Sequence, residues 1–228
     1  MKSKHLFAIV LAAAGLARAT GMAAESTNQP ASVSTHMLRV VVDPRVELMS
    51  LIFRLADNRE YNMAKVESYA DDADKQFGKF RGHMVVNLAR QARESQGVSF
   101  DAVMSMAIHL TDAEHPALKL PLEPWPDGLD KRWTASHPGD FLAAGQQFVE
   151  DSSFPEFIEK HRPLYDTTVT RMQALLNKEA HLEWFDAYFG RGQQASFTVA
   201  LVNGAVNGIV IECCIASATC CKYDNTIN

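Results

Sequence analysis

The sequence predicts an α+β protein that is mainly helical, with about seven helices, a strand near the N-terminus and a partial β-hairpin near the C-terminus. Three observations predict it. Apolar residues recur at helical spacing from Val46 to Tyr188. A β-branched run, His36–Val42, precedes them. The pattern then changes to a strand at Ser196–Val202, followed directly by Asn203-Gly204, a strong two-residue hairpin signal.

Each element has a local reason. Asp43-Pro44 predicts a helix start, with Asp as N-cap and Pro at the first helical position. Val46, Met49, Ile52, Phe53 and Ala56 follow on one face. Helices are expected over 71–79 and 84–94, with Phe77, Phe80, Met84, Val85 and Leu88 inward and Gly97 as the stop. Ser99 is expected to cap a fourth helix carrying Phe100, Val103, Met104, Ala107 and Ile108, although Val103–Leu110 also fits a buried strand. His115–Trp133 reads as an irregular segment, with Pro116, Pro121, Pro124, Pro126 and an Asp127-Gly128 turn; long loops inside a domain are often functional. Further helices are expected over 140–150, 155–162 (broken by Pro163), 167–176 and 179–188, with a turn at Gly190–Gly192 and a second Asn-Gly pair at Asn207-Gly208.

The chain has 228 residues, 47% hydrophobic and 21% charged, ordinary usage for a globular domain with a core. The net charge of −5, without a basic stripe interleaved with aromatics, argues against nucleic acid as a partner. Lys2 and Lys4 precede a 12-residue apolar run, Leu6–Ala17. A bilayer needs about 20 residues, so this run suits the core of a signal peptide. Ala17-Arg18-Ala19 fits the cleavage rule, and Gly21-Met22-Ala23 and Met22-Ala23-Ala24 are the favoured later sites. The expected organisation is a signal peptide at 1–24, a flexible Ser/Thr-rich leader at 25–36, a mainly helical domain at 37–207 and an atypical Cys-rich tail at 208–228. No later run is long enough to span a membrane, so the protein is expected to be exported, periplasmic or secreted.

All four cysteines, Cys213, Cys214, Cys220 and Cys221, fall in that tail. Their spacing matches no zinc motif such as C-x-x-C. Two readings stand: an out-of-frame ending, which is the favoured expectation, or two disulfides stapling a terminal hairpin in an oxidising compartment.

Other candidates are weighed against plainer roles. Asp71, Asp72 and Asp74 suggest calcium, but an EF-hand loop starting at Asp72 would need Gly and Glu where Phe77 and His83 stand. First-turn acids complementing a helix dipole are the expectation instead. His109 and His115 flank Asp112 and Glu114, yet H-x5-H is no recognised metal spacing, and His109 reads as a core histidine. Glu179, Glu183 and Asp186 fall on one helical face, expected to be solvated, with Trp184, Phe185, Tyr188 and Phe189 beside it as core. Glu156 and His161 are unspecific. G-x-S-x-G, G-x-G-x-x-G, the P-loop and H-E-x-x-H are all absent from the sequence.

Several segments, taken in order, resemble a family of exported bacterial proteins known only as a domain of unknown function. They are Val42–Ala56, Tyr69–Phe77, Phe80–His83, Asp101–Leu110 and Leu129–Trp133, then Phe154, Phe157, His161 and Tyr165, and finally Trp184–Gly190. The similarity runs from Leu38 to Asn207. The resemblance implies longer full-length relatives, in which glycine-rich strands and an H-E-x-x-H zinc-peptidase helix follow. This chain has no H-E-x-x-H, so no catalytic, cofactor-binding or metal residue carries over.

The expected function is therefore that of the N-terminal part of a zinc-metallopeptidase-like protein, inactive as it stands. Its helices and proline-rich loop would form a wall of the substrate cleft. No cofactor is expected in this chain, and zinc only in a full-length relative. The alternative is a non-enzymatic exported binding module with a disulfide-stapled tail. A short form that pairs with a domain from another chain is a third reading.

Overall fold

The computed structural model describes residues 37–63, 66–189, 195–201 and 209–215. The expected signal peptide, the leader, the turns at Gly190–Gly192, Asn203-Gly204 and Asn207-Gly208, and Cys220 and Cys221 lie outside the described residues. Eight α-helices and three strands are present among those described. The architecture is α+β and mainly helical, as the spacing of apolar residues predicts.

Strand β1 (Met37–Val42) leads directly into α1 (Pro44–Leu55). The predicted cap forms: Asp43 Oδ1 accepts from Arg45 N at 2.9 Å, and Pro44 opens the helix. Every residue from Val46 to Leu55 is buried, so α1 is the central helix. Around it stand α2 (Glu67–Phe77), α3 (Met84–Gln96), α4 (Asp101–His109), α5 (Pro138–Ser152), α6 (Phe154–Lys160) and α7 (Arg162–Glu179). The main core joins Phe53, Phe77, Val85, Met106, Trp133, Phe141 and Phe148. Gly97 stops α3 at φ 69°, a left-handed position where a β-carbon would be strained.

Strands β2 (Ala195–Leu201) and β3 (Ile209–Ile215) complete a sheet of order β1-β2-β3. β1 and β2 are parallel, with Met37 opposite Ser196 and Val42 opposite Leu201. β2 and β3 are antiparallel, with Ala195 opposite Ile215 and Leu201 opposite Ile209; the expected strand pairing is present, but this register is not that of a two-residue turn at Asn203-Gly204. The backbone of Cys213 and Cys214 belongs to β3, opposite Phe197 and Ser196. Helix α7 covers one face of the sheet through Val169, Met172 and Leu176, packed on Val40, Val199 and Leu201.

Several local expectations are corrected. α2 begins at Glu67, so Asp71, Asp72 and Asp74 lie past its first turn; Asp72 pairs with Lys160 and Asp74 with Arg54. Ser99 does not cap α4: Phe100 occupies the cap position at φ 41°, half-exposed, and Ser99 Oγ donates to Gly97 O. Of the two readings of Val103–Leu110 the helix is the one that forms, ending at His109. Met84 is exposed. Pro163 sits in the first turn of α7, where its missing N–H costs nothing; the break falls at His161. Glu179 ends α7 and Glu183 opens α8 (Glu183–Phe189), so these two carboxylates do not share a helix face. Trp184 is 64% and Tyr188 81% exposed rather than core. The side chains of Phe185, Asp186 and Phe189 lie outside what is described.

Candidate functional site

α1 is buried on all sides, yet it carries Glu47, Ser50 and Arg54 at spacings that place them on one stripe. Burying a charge is costly unless it is bonded, so their partners matter. Together with Leu51, Tyr69, Ala73, Phe154 and Phe157 they line a cavity of about 10 Å³, room for one water-sized sphere. Small-molecule pockets are of the order of 300–1,000 Å³, so this is no substrate cleft.

Tyr69 on α2 donates from its hydroxyl to Glu47 Oε2 at 2.7 Å. Its oxygen lies 2.7 Å from the hydroxyl of Tyr165 on α7. Because the Tyr69 proton is committed to the carboxylate, Tyr165 donates to Tyr69. Burial first, and then the neighbouring Glu47 charge, push both phenols well above the ordinary tyrosine range. This relay ties α7 and α2 to the central helix.

The second charge on the stripe, Arg54, is answered from α2. Its Nε and Nη2 donate to the two carboxylate oxygens of Asp74 at 3.2 and 2.8 Å, and Nη1 donates to Tyr61 O at 3.3 Å. Ser50 Oγ lines the cavity and has no hydrogen-bond partner among the described residues.

His161 stands beside the relay at the α6–α7 corner, 8% exposed. Its ring centroid is 4.2 Å from that of Phe157 and 4.9 Å from that of Tyr69. Nδ1 lies 2.8 Å from Phe157 O and Nε2 3.2 Å from Asp72 Oδ2. Lys160 also donates to Asp72 Oδ2, at 2.9 Å. Hydrogen bonds from Lys160 and then His161 hold the Asp72 carboxyl below the usual aspartate range.

The histidine–acid cluster of the proline-rich segment is not brought together. His109, buried at the end of α4, has Nδ1 2.6 Å from Ser105 O and Nε2 3.0 Å from Asp127 O. His115 is exposed, and its backbone N–H donates to Asp112 Oδ1 at 2.6 Å. His109 and Ser105 act instead as a clamp on the loop. Ser105 Oγ accepts from Asp130 N at 3.1 Å while His109 faces Asp127. Asp130 in turn caps the short 3₁₀ turn Lys131–Trp133 by accepting from Arg132 N at 2.8 Å. Trp133 Nε1 donates to Ala102 O at 2.7 Å. Glu156 lies at the exposed start of α6.

Among the described residues, no group of three or more His, Cys, Asp and Glu side chains is placed to hold a metal ion. The polar stripe on α1 was legible as an i, i+3, i+7 pattern, but nothing in the sequence says that this helix is buried all round. A scan against protein-family models, a search of curated proteins and a search of solved structures each return no match to this chain.

Proposed function

We propose that this chain is the non-catalytic, mainly helical part of an exported protein of the zinc-metallopeptidase-like kind, without peptidase activity of its own. One observation carries the reading. The residues through which the sequence resembles that exported family are largely residues the fold buries: Val46, Phe53, Tyr69, Phe77, Trp133 and Phe157 are all in the main core. A likeness seated in core positions speaks for a shared scaffold rather than a shared site. The polar groups held by that scaffold bond one another around a cavity too small for a substrate. In this reading the helical body supports a catalytic segment that it does not itself contain.

Two measurements test it. Purified mature protein is expected to retain no stoichiometric zinc and to leave a mixed peptide library uncut. One zinc per chain, with cleavage abolished by a chelator, would overturn the non-catalytic part. Reading the gene in all frames past codon 228 tests the family: glycine-rich strands followed by H-E-x-x-H support it, and their absence from every frame sinks it. Export is checked by N-terminal sequencing of material recovered outside the cytoplasm, which should begin close to Ala24.

A specific observation favours a second reading. β3 pairs with β2 along its whole length, Cys213 and Cys214 included, so part of the expected tail belongs to the sheet. That suits an exported binding module with a disulfide-stapled end. A thiol assay showing two clean disulfides and a cooperative melt would support it; four free thiols would count against it.

A further inference from the structure

β1 is the end strand of the sheet order, with β2 on one side. Its other side is occupied by a side chain. Val40 N donates to Gln173 Oε1 at 2.9 Å, and Gln173 Nε2 donates to Leu38 O at 3.1 Å. A residue of a neighbouring parallel strand makes the same pair of bonds, one to the carbonyl before its opposite residue and one to the N–H after it. The carboxamide of Gln173 thus makes the two bonds that the N–H and C=O of one residue of a further parallel strand would make, opposite Arg39. Its orientation is fixed by its surroundings. Nε2 faces two acceptors, Leu38 O and Asn177 Oδ1 (2.8 Å), and Oε1 faces a donor. Val169, Met172 and Leu176 anchor this stretch of α7 on the sheet and hold Gln173 over the edge.

The covered edge is self-complementary. Leu38 and Val40 present their backbone groups outward, as their bonds to Gln173 require. A second β1 brought up antiparallel about a two-fold axis at Arg39 would set Leu38 against Val40 of the copy. Each would then exchange N–H and C=O with the other. The strand, Met-Leu-Arg-Val-Val-Val, is rich in β-branched residues that favour such pairing. Exposed edges of this kind are templates for association, which native proteins block. In that register Arg39 would face Arg39 of the copy at the closest cross-strand spacing, a like-charge contact that opposes it.

We propose that Gln173 is an edge guard: it closes β1 by imitating a strand, and without it β1 pairs with β1 of a second copy of this chain, Arg39 being the second obstacle.

The test is the mass of the full mature chain across a concentration series, by light scattering and sedimentation. Gln173→Leu keeps the helix and the size but removes both edge bonds, and is expected to gain a concentration-dependent dimer. Adding Arg39→Val should tighten that dimer several-fold, whereas Arg39→Val alone should behave as the parent. Gln173→Glu has the same shape, keeps the acceptor for Val40 N–H and sets an oxygen against Leu38 O. It is expected to associate more weakly than the Leu variant, and it decides the matter if that variant fails to fold. Folded Gln173→Leu, or Gln173→Glu in its place, with the parent's mass at every concentration overturns the guard. A double variant no tighter than Gln173→Leu overturns the β1–β1 register.

Discussion

Around Trp133 the core is ring against ring: its centroid lies 5.0 Å from Phe141 and 6.2 Å from Phe53, and Phe77 similarly meets Phe157 at 4.9 Å. Between the sheet and α7 the buried set among the described residues is Val40, Val199 and Leu201, covered by partly buried residues of α7. The helical body fills its volume with large aromatic side chains and ties its helices together with buried polar bonds. Among the described residues the layer between the sheet and α7 has little apolar depth, and β1 and β2 are joined by backbone pairing along their whole length. The comparison teaches that stability and association are governed in different places: the body decides whether the chain folds, and the sheet decides what the folded chain meets.

The largest expected effect lies in the body. Trp133→Ala removes a fully buried ring and its bond to Ala102 O, and should cost about 4 kcal/mol in urea unfolding. A cost comparable to a surface substitution would break the comparison at its stronger end. Tyr69→Phe should come next. It takes the phenol proton from the buried Glu47 carboxylate at a cost of about 2 kcal/mol. The same site gives a pH signature. The folded-state values of Tyr69 and Tyr165 are raised, so their contribution is complete below the ordinary tyrosine range and is lost as pH rises above about 10. Absorbance titration should show these two phenols ionising only as the chain unfolds; ionisation in the native state at the ordinary value would show that the relay is open to water. The smallest effect belongs to the sheet. Val199→Ala removes two carbons from a shallow layer and should cost about 1.5 kcal/mol. A loss equal to that of Trp133→Ala would mean the two regions share one core.

Local signals carried much of this fold into the sequence. Asp43-Pro44, Gly97 and the β-branched run of β1 act through the backbone beside them, and they are where they were expected. Apart from the Ser99 cap and the start of α2, what failed depended on distant parts of the chain. Pro163 reads equally as the end of one helix or the start of the next; in the fold it is a start, and Tyr165 of that helix packs against Tyr69. Trp184 and Tyr188 have the composition of a core but are exposed, Trp184 stacking on His181 at 4.5 Å. Glu47, Ser50 and Arg54 are passed over in the sequence, where they stand among the apolar residues of an ordinary helix. Their partners come from α2 and α7, and no local pattern announces a tyrosine relay. Gln173 carried no signal at all, because a strand-imitating carboxamide is defined by a strand 133 positions away in the chain.

The parallel pairing of β1 with β2 also imposes an order in time. Met37 waits for Ser196, so β1 finds its strand partner only after the helices between them have been made. Non-local pairing of this kind is slow, and an unpaired strand is exposed while it waits. Gln173 precedes β2 in the chain. The side chain that covers the outer edge of β1 therefore emerges before the strand that covers the inner one, and half of the waiting strand is sheltered before its partner exists.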